Sequence, residues 1–272
     1  MKRFFCVLLF IAAVIGGLLL CDHVTRRDDS ERKFRSFYDE KQDIDVYFMG
    51  TSHVLDDITP MELWRDFGVT SYNMGTSSEC LGMTEWILKL TADVHKPKIA
   101  VIDVYYIDKP LDLEWTFSYR HLFFDSYPLS LRKFEAVRAT LPKGQWMEFM
   151  MPFSLYHSRW EELMTGTGER MINCEPFMMG SEMRIGRGEP LPYTRTHAMT
   201  EGELPGTQAL RNIIAYCREN GIEPVLMALP APVSEQEQAN MNSVQRLADE
   251  LNVPFLNLFD EDTGIDFYTD CY

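Results

Sequence analysis

The sequence predicts an α/β protein built on a doubly wound, five-stranded parallel sheet, with a helical insertion and an N-terminal transmembrane helix. Three observations predict it. Short, nearly continuous apolar runs recur at Val46–Met49 and at 99–104, 224–229 and 254–259, with a second short strand at 69–74, the pattern of strands buried on both faces. Segments of helical spacing lie between them, and this alternation is the signature of a parallel sheet covered by helices. The chain opens on a long stretch without charge.

That stretch, residues 4–21, follows Lys2 and Arg3 and is close to the ~20 apolar residues needed to cross a bilayer. A cleaved signal peptide usually has a shorter apolar core and a small-residue cleavage site, and none precedes Asp22, so residues 1–21 read as an uncleaved signal anchor. Arg26, Arg27, Arg32, Lys33 and Arg35 outnumber the two charges before the span, which by the positive-inside rule favours a cytoplasmic body. Residues 22–43 are charge-rich and read as a solvated linker or a juxtamembrane helix.

The main domain is read over 44–272. Its first strand, Val46–Met49, delivers Gly50-Thr51-Ser52-His53. A short helix over Pro60–Phe67 follows, with Thr59 as N-cap, Pro60 in the first turn and Gly68 closing it. The second strand, 69–74, runs into Gly75-Thr76-Ser77-Ser78, and 79–94 has helical spacing of Leu81, Trp86, Leu88 and Leu90 before Pro97 stops it. The run 99–104 is apolar almost throughout and is therefore central. Helices at 207–220, closed by Gly221, and at Glu235–Leu251 accompany the last two strands. About a hundred residues separate the third and fourth strands, far more than a crossover of roughly a dozen requires, so 108–205 is read as an inserted subdomain. Within it 129–140 and 147–164 read as helices, 166–192 as loop, and Met147, Phe149, Met150, Met151 and Phe153 as core.

Composition limits the function classes. A chain of 272 residues, 46% hydrophobic, can bury a full core, and a net charge of −15 with pI near 4.8 argues against a nucleic-acid backbone as partner. Six cysteines without a CxxC pair or metal-like spacing to the histidines point to neither a metal nor a disulfide framework. Neither glycine turn has phosphate-loop or G-x-G-x-x-G spacing, and no cofactor is implied.

The candidate chemistry gathers at the carboxyl ends of strands, where open α/β sheets bind ligands. Gly-Thr-Ser segments are commonly plain turns, but Ser52 has a second glycine turn for company, Asn73-Met74-Gly75. In a sheet of order 2-1-3-4-5 the two ends are neighbours, so the Gly75 N–H could face an oxyanion formed on an acyl group carried by Ser52.

Met49-Gly50-Thr51-Ser52-His53 resembles the first block of the SGNH, or GDSL-like, hydrolases, and Tyr72-Asn73-Met74-Gly75 resembles their second. The likeness is to the membrane-anchored branch related to DltD and other partners of membrane-bound O-acyltransferases, and it runs from about Ile44 onward. It implies a flavodoxin-like sheet of SGNH type, an exported body, Ser52 as nucleophile, and the Ser52 and Gly75 N–H groups as oxyanion donors. Asn73 would order the turn or donate a side-chain hydrogen bond.

The chain departs from that pattern twice. The family's third block carries an Asn, whereas this sequence has Asp103-Val104-Tyr105-Tyr106. Asp103 is then an orienting carboxylate, or a strand-end cap or ion-pair partner. The family's Asp-x-x-His block follows the fifth strand, but the sequence runs out at Asp266-Phe267-Tyr268-Thr269-Asp270-Cys271-Tyr272. The expectation is a fragment cut before its catalytic Asp and His. His53 is the nearest substitute base, although its place after Ser52 suits a structural or substrate-contacting role better. His121, His157 and His197 fall in the insertion and read as ordinary polar residues, and His95 as a helix C-terminal cap.

The function expected from the resemblance is a membrane-anchored serine acyl esterase or O-acyl transfer protein. Its substrate would be an extracytoplasmic acylated carbohydrate or cell-envelope polymer. The alternative is a catalytically silent anchored module that binds a glycan or a membrane O-acyltransferase through the aromatic insertion.

Overall fold

The computed structural model describes residues 2–25, 28–165, 178–182, 196–231 and 234–259. In chain order the elements are α1 (Lys2–Thr25), α2 (Asp28–Asp39), β1 (Val46–Met49), α3 (Ser52–Asp57), α4 (Pro60–Phe67), β2 (Ser71–Asn73), α5 (Leu81–Ala92) and β3 (Ile99–Asp103). After them come α6 (His121–Phe124), α7 (Leu131–Thr140), α8 (Trp146–Met150), α9 (Phe153–Tyr156), α10 (Trp160–Thr165), α11 (Thr207–Glu219), β4 (Glu223–Ala228), α12 (Glu235–Leu251) and β5 (Phe255–Asn257). The chain divides into two compact units, one of residues 1–35 with 121–176 and the other of 36–120 with 177–272.

The larger unit holds an all-parallel sheet of order β2-β1-β3-β4-β5, the order anticipated from sequence. Val46 lies beside Ser71 on one side and Ile99 on the other, and Asp103 lies beside Met227. Side chains alternate between the two faces of a strand. Val46, Val101 and Met227 therefore share one apolar cluster with Val54 and Leu229, while Tyr47, Met49, Ala100, Ile102 and Leu226 are buried at the intervening positions. Central strands buried on both faces have no room for polar alternation, which explains the unbroken apolar runs of β1 and β3.

Helix boundaries follow local chemistry. Pro60 opens α4 and Gly68, at φ +67°, closes it, although the Thr59 side chain makes no capping bond. The helix expected over 79–94 begins later, at Leu81, because the Glu79 carboxylate accepts hydrogen bonds from Thr76 (2.9 Å) and Thr84 (2.6 Å) and holds the preceding turn. α12 starts at a complete capping box formed by Ser234 and Glu237.

In the smaller unit α1 has 24 residues, an 18-residue window of which has a mean hydropathy of 2.9, long and apolar enough to cross a membrane. Only its last turn, at Asp22 and Thr25, is buried. The helix expected over 147–164 is broken. Pro152 cannot continue the ladder, Met151 leaves helical geometry at φ −147°, and α8, α9, a 3-10 turn at His157–Arg159 and α10 follow one another. Phe149 is buried as expected of a core residue, but Met147 is exposed. A polar network lies beneath: the His121 ring bonds Asp125 (2.8 Å) and Glu148 (3.1 Å), Tyr156 donates to Asp125 (2.7 Å), and His121 stacks on Phe149.

The charged stretch after α1 contains the helix α2, within which the chain passes from one unit to the other. Phe34 and Phe37 are completely buried, Phe34 against Phe123 in the smaller unit and Phe37 against Tyr47 and Tyr72 in the larger. A charge count over 22–43 hides these two aromatic anchors. Most of the loop read over 166–192, and the Asp266–Asp270 region from which a catalytic Asp and His were expected to follow, lie outside the described residues.

Candidate functional site

The carboxyl ends of β1, β2 and β3 meet at one place, and glycine makes the meeting possible. Gly50 follows β1 at φ +149°, a conformation that favours glycine, and a Cβ there would collide with the Cβ of Asp103 at the end of β3. Thr51 then turns the chain into α3. Its Oγ1 accepts the His53 N–H (3.3 Å) as helix cap and donates to Asp103 Oδ2 (3.0 Å), which also accepts the Thr51 N–H (3.4 Å). Asp103 Oδ1 accepts the Tyr105 N–H at 3.0 Å.

Asp103 is thus a buried strut tying β1, α3 and the 3-10 turn at Tyr105–Asp108 to the end of β3. Burial pushes its pKa up, opposed by the neighbouring His53 and by the bonds from Tyr105 and Thr51. Its hydrogen bonds, accepted from Thr51 and Tyr105, are of the kind a strand-end cap makes. Among the described residues no imidazole is hydrogen-bonded to it.

Ser52 is the first residue of α3 and is half-buried, and among the described residues its hydroxyl makes no side-chain hydrogen bond. His53 places its ring 4.2 Å from that of Tyr105, tilted by 34°, and Tyr105 stacks in turn on Tyr106 at 5.2 Å. Tyr105 Oη donates to Glu237 Oε1 (2.8 Å) in the first turn of α12. Burial raises the Tyr105 pKa and Glu237 raises it further, so the phenol stays protonated. Burial also tends to raise Glu237, but bonds from the Ser234 N–H and hydroxyl and from Tyr105 outweigh it and hold the carboxyl below its ordinary value.

The second turn is fastened from within. Asn73 Nδ2 donates to the carbonyls of Val54 (2.5 Å) and Ile58 (2.9 Å), and Asn73 Oδ1 accepts the Gly75 N–H at 2.9 Å. The donor read from sequence as facing an oxyanion is therefore committed to Asn73. Gly75 is needed for a different close approach: a Cβ there would stand 2.7 Å from the Leu55 nitrogen and 2.9 Å from the Thr51 carbonyl oxygen. The two turns are neighbours as expected, since Met74 N–H bonds Phe48 O (2.7 Å) and Thr76 N–H bonds Gly50 O (2.9 Å).

At the other end of α3, Asp57 is pushed up to about 6, by desolvation first and then by Asp56 and Asp103. A cavity of about 190 Å³ opens at the β2 edge, lined by Pro60, Met61, Trp64 and Ser71 among others, and Ser52 is not part of its wall. His157 and His197 are exposed, while His121 is held in its own network.

Sequence reading missed Thr51, Tyr105 and Glu237. Thr51 and Glu237 carried a signal, a threonine directly before a helix and the Ser-x-x-Glu spacing of a capping box. Tyr105 carried none, because its partner is 132 positions away. Among the described residues no group of three His, Cys, Asp or Glu side chains is placed to hold a metal. No family model and no curated protein matches the chain.

Proposed function

We propose that this protein is a membrane-anchored, Ser52-dependent acyl esterase or O-acyl transfer protein. The observation that carries the reading is the contrast around Ser52. Thr51, Asn73 and Asp103 are all buried and committed to hydrogen bonds, whereas the half-buried Ser52 hydroxyl has no side-chain partner among the described residues. A scaffold this constrained presenting one unengaged hydroxyl at the carboxyl end of a parallel sheet suits nucleophilic attack. In that reaction Ser52 Oγ bonds to an acyl carbonyl carbon and loses its proton, and the ester's alkoxide leaves with a proton. Water or a second hydroxyl then releases the acyl group. The Ser52 N–H is the oxyanion donor on this chain, since the Gly75 N–H serves Asn73.

The substrate class, an acylated carbohydrate or envelope polymer outside the cytoplasm, rests on the resemblance of the two glycine blocks to the DltD-like branch of the SGNH hydrolases, as does export. The basic residues after the span favour the opposite orientation.

A second reading is favoured by two observations, the committed Gly75 N–H and the lack of any imidazole bonded to Ser52 among the described residues. It is a silent anchored module that binds a glycan or a membrane O-acyltransferase. A fluorophosphonate probe separates the two. Covalent labelling read by intact mass is expected for the chain expressed to the end of its gene, where the resemblance places the Asp-x-x-His block, and not for Ser52→Ala in that form. If neither is labelled, the serine-enzyme reading is wrong and the binding module stands.

A further inference from the structure

The smaller unit carries exposed apolar side chains whose position relative to α1 gives them a physical context. Residues 4–21 of α1 rise about 27 Å at ~1.5 Å per residue, close to the ~30 Å of a bilayer's hydrocarbon core. If that stretch lies in lipid, the last turn, Asp22 to Thr25, lies at the headgroup level. That turn is the buried part of α1. Arg159, at the end of the 3-10 turn before α10, donates from Nη1 to the Thr25 carbonyl oxygen (3.1 Å) and pairs with Glu162 (3.2 Å). A cation on the closing carbonyls of a helix is a favourable C-terminal cap. The bond also pins the start of α10 to the point where α1 ends.

Trp160 follows Arg159 directly. It is 52% exposed, and Met164, four residues on and therefore on the same helical face, is 78% exposed. In water such a pair gains nothing from its position. Beside a span it has a solvent that suits it: tryptophan concentrates at the headgroup level, where an apolar ring and a polar N–H are both satisfied, and short amphipathic helices bury an apolar face ~5–10 Å into that layer.

We infer that Trp160 and Met164 form a lipid-binding foot, with α10 lying in the interface of the leaflet where α1 emerges. The partner is the bilayer surface itself. The inference rests on the anchor reading of α1, and the test keeps the two apart. The full chain is reconstituted in phosphatidylcholine vesicles, with flotation reporting attachment. Quenching of tryptophan fluorescence by lipids brominated high on the acyl chain reports contact with the interface. The wild type is expected to float and to be quenched. Trp160→Phe should float equally and lose most of the quenching, and adding Met164→Trp to that variant should restore it. Flotation of all three with the same quenching in the wild type and Trp160→Phe would overturn the foot while leaving the anchor intact. Failure of the wild type to float would overturn the anchor, and the foot with it.

Discussion

Asp103 joins three backbone segments through one carboxyl group, and that role has a pH signature. Its carboxyl is buried, and burial raises its pKa above the ordinary value. A raised folded-state pKa means that the native state holds its proton more tightly than the unfolded chain. The stabilisation is complete below the unfolded pKa of about 4 and is lost as pH rises through the folded value. Asp57 acts in the same direction over the interval from 3.8 to about 6. Replacing Asp103 with Asn removes the titration and leaves an amide that, like the protonated carboxyl, presents an acceptor at one end and a donor at the other. Asp103→Asn is therefore expected to lie close to the wild type in urea midpoint at pH 4.5 and to rise relative to it toward pH 8, as the buried wild-type carboxyl takes up charge. A gap constant across that range would show that Asp103 does not titrate there.

The element that organises the site is the short helix α3, and six residues do not hold a helix in water unaided. Its start is held by Thr51 and Asp103, and its last carbonyls by the Asn73 side chain from the neighbouring strand. Asn73→Asp tests that second hold with almost no change in volume. The new carboxyl can still accept the Gly75 N–H, but it directs a second acceptor at the carbonyls of Val54 and Ile58. Burying such a group unpaired costs several kcal/mol or forces it to take up a proton. A loss of about 2–4 kcal/mol is expected in urea unfolding at pH 7, smaller at pH 5 where the protonated acid donates again. A loss below 1 kcal/mol would mean that α3 is held otherwise.

The strands and both glycine turns could be read from sequence because each depends on residues close in the chain, whereas the sheet order joins strands as far apart as Ile99 and Glu223 and came from the doubly wound pattern as a whole. The committed state of the Gly75 N–H could not be read so directly. Asn73 two positions earlier was visible, but which way its amide faced depended on the carbonyls of Val54 and Leu55 in α3 and of Ile58 just after it. The break at Pro152 was legible and was overridden by the apolar spacing around it.

At the scale of the whole molecule, the two units place different demands on the chain. The larger one has central strands buried on both faces and side-chain struts at the ends of β1, β2 and β3. The smaller one combines short helices with the last turn of α1, so its packing includes a helix whose other residues suit lipid. This makes processing of the N-terminus a structural question. A signal peptidase needs small residues near the cut, and 18–21 here are three leucines and a cysteine. The apolar run also exceeds the roughly 7–15 residues of a signal-peptide core. Protein recovered from membranes is accordingly expected to resist alkaline carbonate extraction and to keep the whole of α1 in its intact mass. A mass beginning near Asp22 would identify a signal peptide. The Arg159 bond to Thr25 would survive that cut, because its acceptor lies beyond it, but it would then close a stub of four helical residues, with no span to position Trp160 and Met164 against lipid.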